Sequence, residues 1–304
     1  MLNGRNRAAI RLRLAGLLGP GALWILLFFN LPLVIVLFIS FVERGRAGGI
    51  QLPPVFTVHN YTLLFNACAS EFSGPKCNPF LYLGIFGHSV RIALSVTFWC
   101  ILLGFPLAYF ISTRSPRWRD SLVLLVIIPF WTNFLVRTYA LKSVLATEGL
   151  VNNFLMTLRL IDAPLELLFN EFAVVLGLVY GYLPFAVLPM YASIEKFDHT
   201  LMEAAADLGA PPRRAFWRVM LPMTLPGVVA ALVLVFVPVV GAFITPDILG
   251  GGKVEMIGTL INRQFGVARN WPFGSSISLL LMVLVLIGVI AYFRSGGEDA
   301  RRAI

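Results

Sequence analysis

Residues 200–222 read TLMEAAADLGAPPRRAFWRVMLP, a long polar, charged and helix-patterned segment with an apolar run on each side. Thr200 followed three positions later by Glu203 is typical of a capping box, which predicts a short helix from about residue 201. Gly209 suits the left-handed residue that ends a helix. Pro212 suits the start of a second short helix, which carries three arginines: Arg213, Arg214 and Arg218. The segment therefore predicts a helix-turn-helix between two membrane spans.

The spacing within this segment is more specific than an interfacial amphipathic loop requires. Glu203-Ala204-Ala205 is followed by three residues, Gly209, nine residues, Val219, one residue and Leu221-Pro222. This pattern resembles the EAA loop of binding-protein-dependent ABC import permeases, with Val219 where isoleucine is usual. In that family the loop is a cytoplasmic helix that docks into a groove on the ATPase subunit. The resemblance implies that six residues couple this chain to an ATPase: Glu203, Ala204, Ala205, Asp207, Leu208 and Gly209.

The composition places most of the chain in a membrane. Of its 304 residues, 58% are hydrophobic and 13% are charged, and a single soluble core cannot hold so many apolar side chains. Six stretches are long enough to cross a hydrocarbon core, which takes about 20 helical residues: residues 17–41, 85–111, 121–141, 172–192, 221–244 and 274–293. The sequence predicts an all-α polytopic membrane protein with six transmembrane helices and a single permease domain over residues 1–304.

The formal net charge of +9 is concentrated in alternate loops. Lysines and arginines precede the first span, separate the second from the third, lie in the opening segment and follow the last span. This positive-inside pattern predicts that three segments are cytoplasmic: an N-terminal tail of residues 1–16, the EAA-like loop of residues 193–220 and a C-terminal tail of residues 294–304. No aromatic-interleaved basic face accompanies the charge, so nucleic acid is not an expected partner.

The three cysteines divide into two kinds. Cys100 lies in an apolar stretch and suits a small core residue. Cys68 and Cys77 share the first predicted external loop, where an oxidising periplasm would allow them to pair. A disulfide between them is a hypothesis that competes with two free thiols.

The chain carries no recognisable catalytic or nucleotide site. Gly250-Gly251-Gly252-Lys253 is only superficially similar to a phosphate loop, because Val254 stands where Ser or Thr would bind magnesium. The histidines His59, His88 and His199 are scattered and show no metal-binding spacing. No Asp or Glu falls deep in a predicted span, which disfavours a proton- or sodium-coupled carrier. We expect a permease without its own cofactor or metal, whose partner ATPase binds ATP and Mg.

Four further stretches resemble spermidine/putrescine-type permeases of the same superfamily: IPFWTNFLVRTY at residues 128–139, YGYLPFAVLP at 180–189, PDILGG at 246–251 and WPFG at 271–274. The resemblance implies a MetI-like fold in the bacterial inner membrane, with both termini cytoplasmic. It also implies three kinds of protein partner: a second homologous permease, two copies of an ABC ATPase and a periplasmic substrate-binding protein.

A polyamine would need aromatic faces and carboxylates along its route through the lipid bilayer. The candidates for that path are Trp131, Tyr139, Tyr180, Tyr182 and Asp247.

Two departures from the family pattern leave the substrate open. Ala242 and Asn270 stand where family members often carry an acidic residue, and the loss of negative charge is unfavourable on a path for polyamines. An amino acid or an opine-like substrate is therefore an alternative within the same importer class. A stand-alone channel or facilitator is the competing class.

Overall fold

The structure is a computed structural model that describes residues 18–45, 48–66, 68 and 78–302, with side chains described as far as residue 290. These residues are almost entirely helical, which confirms the all-α prediction. Strand-like pairing within them is limited to two isolated antiparallel bridges, one between Val42 and Phe56 and one between Arg44 and Ile50.

The helices are, in chain order, α1 (Leu18–Ser40), α2 (His59–Phe65), α3 (Leu81–Ser112), α4 (Pro116–Trp131), α5 (Phe134–Leu145), α6 (Leu150–Thr157), α7 (Glu171–Glu195), α8 (Thr200–Asp207), α9 (Pro212–Val240), α10 (Ile244–Gly250), α11 (Ile257–Phe265) and α12 (Trp271–Arg302). The last four residues of α4 form a 3-10 turn, and α1 and α9 each contain a π turn.

Five of the described helices are long and apolar enough to cross a membrane: α1, α3, α7, α9 and the part of α12 over Trp271–Ile290. They coincide with five of the six predicted spans. The predicted span at residues 121–141 is not one straight helix. It is divided between Pro116–Trp131 and Phe134–Thr157, which meet at a bend of 90°, and counting this pair as one broken span gives six.

The bend has a local chemical cause. Thr132 has an extended backbone, and its hydroxyl donates to the carbonyl of Pro129 at 2.7 Å. Asn133 is the N-cap of α5, and its side-chain oxygen accepts the amide of Leu135 at 2.8 Å. An Asn cap satisfies a free amide at a new helix start. The sequence Thr-Asn therefore ends one helix and begins another inside an apolar stretch.

By Cα packing the chain divides into two compact units, one with Met1–Leu81 and Ile261–Leu286, the other with Tyr82–Leu260 and Ile287–Ile304. The expectation of a single permease domain over residues 1–304 stays a prediction.

In the first unit, side chains tie short segments to one another. Asn60 on α2 donates to the carbonyls of Ser40 and Val42 at 2.9 and 3.0 Å, which holds α2 against the end of α1. The Arg44 guanidinium donates to the carbonyl of Ala268 at 2.7 Å, just before α12. A buried amide and an exposed guanidinium thus connect the segments of this part of the chain through backbone carbonyls.

The second unit is built around α7, which packs against α4, α5, α9 and α10. Small residues make these contacts close. A Cβ on Gly177 of α7 would overlap the side chain of Leu249 on α10. A Cβ on Gly227 of α9 would overlap Ser193 and lie 2.7 Å from the carbonyl oxygen of Pro189. Helix pairs in membranes depend on such small residues because lipid provides no hydrophobic drive between helices.

The glycine run at residues 250–252 ends α10. Gly251 has a left-handed backbone with φ of 56°, and the amide of Lys253 donates to the carbonyl of Gly250 at 3.0 Å. A Cβ on Gly251 would overlap the ring of Phe169. The glycines therefore allow α10 to end in a tight turn that packs against the Phe169 ring.

The cysteines have two environments. Cys100 is free and buried in α3, as the sequence predicted. Cys68 is in the disulfide form. Its predicted partner Cys77 lies outside the described residues, so the pairing of these two cysteines stays a prediction.

The close crossing of α7 and α9 predicts a large effect at Gly227. Gly227→Ala should destabilise the protein by about 1–3 kcal/mol, because a backbone carbonyl cannot move away cheaply. Gly87→Ala on α3 is the matched control, since nothing lies within 4 Å of its added Cβ and alanine favours helix. Thermal unfolding in detergent tests this. Equal melting temperatures for the two variants would contradict the packing argument.

Candidate functional site

The EAA-like segment folds as a short helix, α8, that is capped differently from the prediction. The amide of Thr200 donates to the Asp198 carboxylate at 3.0 Å, and α8 begins at Thr200 itself. The N-cap position is His199, which makes no side-chain capping bond. The predicted capping box of Thr200 and Glu203 is therefore wrong, because an acid two residues upstream takes the first amide. The hydrogen bonds from Thr200 lower the pKa of Asp198.

The predicted end of α8 is confirmed. Gly209 has φ of 78°, its amide donates to the carbonyl of Ala206 at 2.8 Å, and the amide of Ala210 donates to Ala205 at 3.0 Å. These two bonds form a Schellman motif. No atom lies within 4 Å of a Cβ placed on Gly209, so glycine is needed there for its backbone conformation.

The second short helix expected after Gly209 is the beginning of a span. Pro212 opens α9, which continues through a π turn at Phe216–Met220 as far as Val240. Arg213 and Arg214 lie in its first turn, and Arg218 lies in the π turn. Because the polar start and the apolar span share one helix, the loop proper is confined to residues 196–211.

The EAA-like residues face outward. Leu208 is 89% exposed, and Glu203, Ala204, Asp207 and Gly209 are also exposed, whereas Ala205 is half-buried. The α8 helix packs against the start of α9 and its π turn. A highly exposed leucine beside small and acidic residues forms a surface that can receive a partner.

An ion pair that the sequence analysis missed lies at the base of this segment. Arg119 of α4 binds the Glu195 carboxylate at the end of α7 at 2.7 Å and the carbonyl of Ser112 at the end of α3 at 3.1 Å. One guanidinium therefore joins the ends of three helices. The arginine run between the second and third spans was the available signal, but we interpreted it only as a topology marker.

A second polar cluster joins α3 and α7. Glu171 accepts from Arg91 at 2.6 Å, and the His88 ring lies 3.4 Å from the same carboxylate oxygen. The other ring nitrogen of His88 lies 3.1 Å from the carbonyl of Glu255. His88 is thus part of a hydrogen-bonded cluster. No group of three potential metal ligands occurs among the described residues.

The candidate path residues lie on neighbouring helices of the second unit. Trp131 ends α4 and is 79% exposed, Tyr139 lies on α5, and Tyr180 and Tyr182 lie on α7. Asp247 is exposed in the first turn of α10, which packs against both α5 and α7. The fold therefore brings these elements together, although Trp131 and Asp247 make no ring or ion-pair contact with the other path residues.

Arg137 organises the aromatic side chains of this region. Its guanidinium carbon lies 4.9 Å from the ring centre of Phe130, 5.5 Å from that of Phe134 and 5.8 Å from that of Tyr180. One of its nitrogens donates to the carbonyl of Pro129 at 3.2 Å. Arg137 therefore crosses the bend between α4 and α5 and lies among the rings.

The two departures from the acidic family pattern both lie at helix ends. The Ala242 amide donates to the carbonyl of Val239 at 3.1 Å, at the end of α9. Asn270 accepts the amide of Phe273 at 3.3 Å in the first turn of α12. An uncharged Asn is a favoured N-cap, so the side chain at this position contributes to the start of a span.

Comparison with known families agrees with this arrangement. Residues 100–295 match the family described as "Binding-protein-dependent transport system inner membrane component". The chain belongs to this family. It is therefore an inner-membrane, multi-pass permease component, which is not itself catalytic.

Individual relatives extend the similarity over most of the chain. It is 40% identical over 272 residues to the spermidine/putrescine transport system permease protein PotB of Haemophilus influenzae, covering 90% of each chain. It is equally similar to PotB of Escherichia coli strain K12, covering 90% of this chain and 94% of that one. A chain from the crystal structure of a bacterial alginate ABC transporter in complex with a periplasmic protein has a TM-score of 0.69 at 18% identity over 95% of both chains. That structure shares the fold.

The cap at Asp198 predicts a specific dependence on side chain and pH. Asp198→Ala should fray the first turn of α8, and Asp198→Asn, which keeps an acceptor, should not. The pKa of Asp198 is lowered in the folded protein. The ionised carboxylate therefore stabilises α8 fully at pH values above the unfolded pKa of about 3.9. This stabilisation is lost as the pH falls through the pKa of Asp198 in the folded protein.

Limited proteolysis of the α7–α8 connection at neutral pH measures the fraying. Faster cleavage of Asp198→Ala alone is the expected result. Equal cleavage of Asp198→Ala and Asp198→Asn would contradict the cap.

Proposed function

We propose that this chain is the transmembrane permease subunit of an ATP-driven ABC importer that moves a small amine, such as spermidine or putrescine, from periplasm to cytoplasm. The observation that carries the proposal is the 40% identity to the two PotB permeases over 90% of this chain. The complex would contain a second homologous permease, two ATPase subunits that bind ATP and Mg, and a periplasmic substrate-binding protein. Both termini and α8 would face the cytoplasm.

In this proposal α8 is the coupling helix. Its exposed Glu203, Asp207 and Leu208 would enter a groove on the ATPase, and Gly209 would return the chain to the membrane. The packing of α8 against the start of α9, together with the Arg119–Glu195 ion pair, supports transfer of ATPase movement to the spans. ATP would then bias an equilibrium between two conformations of the permease.

A less charged amine is a second candidate substrate, and two observations favour it. Arg137 brings a positive charge beside Tyr180, one of the rings predicted to receive the substrate, and Ala242 is neutral where relatives of the resembled type are often acidic. An amino acid or opine-like compound would tolerate this electrostatic environment better than a trivalent polyamine.

The coupling role predicts that Gly209 is sensitive to shape through its backbone. Gly209→Val should abolish most ATP-dependent transport, because a β-branched residue rarely adopts positive φ. Gly209→Asn should retain transport, since Asn tolerates this conformation. Transport and ATP hydrolysis are measured together in proteoliposomes. Full transport by Gly209→Val would argue against coupling through this turn.

The substrate is tested by uptake of labelled spermidine, putrescine and several amino acids in cells with and without this chain. The deletion strain is complemented with the wild type or with Glu203→Lys, whose reversed charge should weaken ATPase docking. We expect polyamine uptake to be lost in the deletion and restored only by the wild type. If polyamine uptake is unchanged in the deletion strain while uptake of another amine is lost, the importer assignment stands and the polyamine substrate is wrong.

A further inference from the structure

Two of the four rings that the sequence assigns to the substrate, those of Tyr139 and Tyr180, lie beside cations of the protein. Arg137 lies over Tyr180 as well as over Phe130 and Phe134. Five residues further along α5, the Lys142 ammonium lies 6.0 Å from the ring centre of Tyr139 and 5.6 Å from that of Phe169. Two of the proposed path tyrosines therefore each face a cationic side chain from the same helix.

The charge of Arg137 is not neutralised by an ion pair. Among the described residues, Arg137 has no carboxylate within 4.0 Å, and the recorded ion pairs of Glu171 and Glu195 go to other basic groups. Asp247 lies on α10, which packs against α5 and α7, but it makes no ion pair with Arg137. The guanidinium is thus stabilised by ring faces and by one carbonyl, the kinds of group that also bind an alkylammonium.

A ring face that holds one cation cannot hold a second in the same place. A substrate amine that enters this region must displace the guanidinium or bind beside it. Binding beside it incurs a repulsion that grows with the number of charges on the substrate. This repulsion is therefore larger for a trivalent polyamine than for a divalent one, although both carry the same kind of amine.

We propose that Arg137 is a specificity-determining residue: its guanidinium occupies the aromatic site that a substrate amine must enter, and it discriminates against substrates of higher charge. This inference rests on the proposed amine transport. Arg137 acts as an internal competitor for the rings of Phe130, Phe134 and Tyr180. It leaves those rings when an amine passes and returns to them afterwards.

A structural role is the rival explanation, because Arg137 also bonds to Pro129 across the bend. The two roles differ in what they do to relative rates. Loss of a structural clamp slows transport of every amine by the same factor. Loss of an internal competitor changes the ratio between substrates of different charge.

The experiment uses the complete transporter in proteoliposomes, with liganded binding protein at saturation. The measured quantities are the turnover rates for spermidine and putrescine and the KM for binding protein. Arg137→Gln removes the charge and keeps a donor toward Pro129. Arg137→Met removes the charge and keeps an unbranched apolar stem on the rings, so either variant suffices if the other does not accumulate.

Two control variants leave a positive charge at position 137. Arg137→Lys retains a cation at the site and should keep the wild-type ratio. Arg114→Gln removes an arginine that lies 4.1 Å over the Phe110 ring at the end of α3, outside the path region. It should also keep the wild-type ratio, because it removes an equivalent charge and ring contact elsewhere.

The expected result is that the spermidine-to-putrescine turnover ratio rises about threefold or more in Arg137→Gln and Arg137→Met, because the additional charge of spermidine is no longer repelled by the Arg137 guanidinium. The KM for binding protein should not change. A ratio equal to that of the wild type in both neutral variants would overturn the inference, whether or not overall turnover falls. If the wild-type transporter moves neither polyamine, the proposed substrate fails instead, and the two failures are thereby distinguished.

Discussion

Close backbone approach to α7 is the constraint on which the second unit depends. In a membrane, apolar side chains gain little by leaving lipid for another helix, so association relies on van der Waals contact and polar bonds. Gly177 and Gly227 remove the side chains that would hold α10 and α9 away. The ends of α7 are then fixed by charge, through Glu171 near its start and Glu195 at its end. These contacts position the helices that flank α8 and the helices that bear the aromatic side chains around Arg137.

Much of this arrangement could be predicted from the sequence because its signals are local. Apolar stretches of sufficient length define five spans, and Gly209 requires a left-handed turn at the end of α8. The bend after Trp131 was missed because the apolar pattern continues across it and hides the cap at Asn133. The start of α8 was also mispredicted. The capping box expects Glu203 to accept the amide of Thr200, but Asp198, which lies outside that motif, accepts it instead.

Contacts between residues distant in the chain could not be predicted in the same way. Arg119 is 76 residues from Glu195, and their pairing depends on how α4 meets α7. The rings around Arg137 come from three helices, so the sequence identified aromatic residues without indicating which cation they contact. Single-sequence patterns report periodicity and caps, whereas the partner of a charged side chain is determined by helix packing.

The π turn at Phe216–Met220 sets the rotational phase between the two ends of α9. A π turn carries one residue more than a regular α-helical turn, and each helical residue advances the face by roughly 100°. The basic first turn is therefore rotated about the helix axis relative to the membrane part of the same helix. Deleting one residue here would restore regular winding and turn α8 toward a different side of the span. The length of this segment is thus under geometric constraint even where its individual side chains are replaceable.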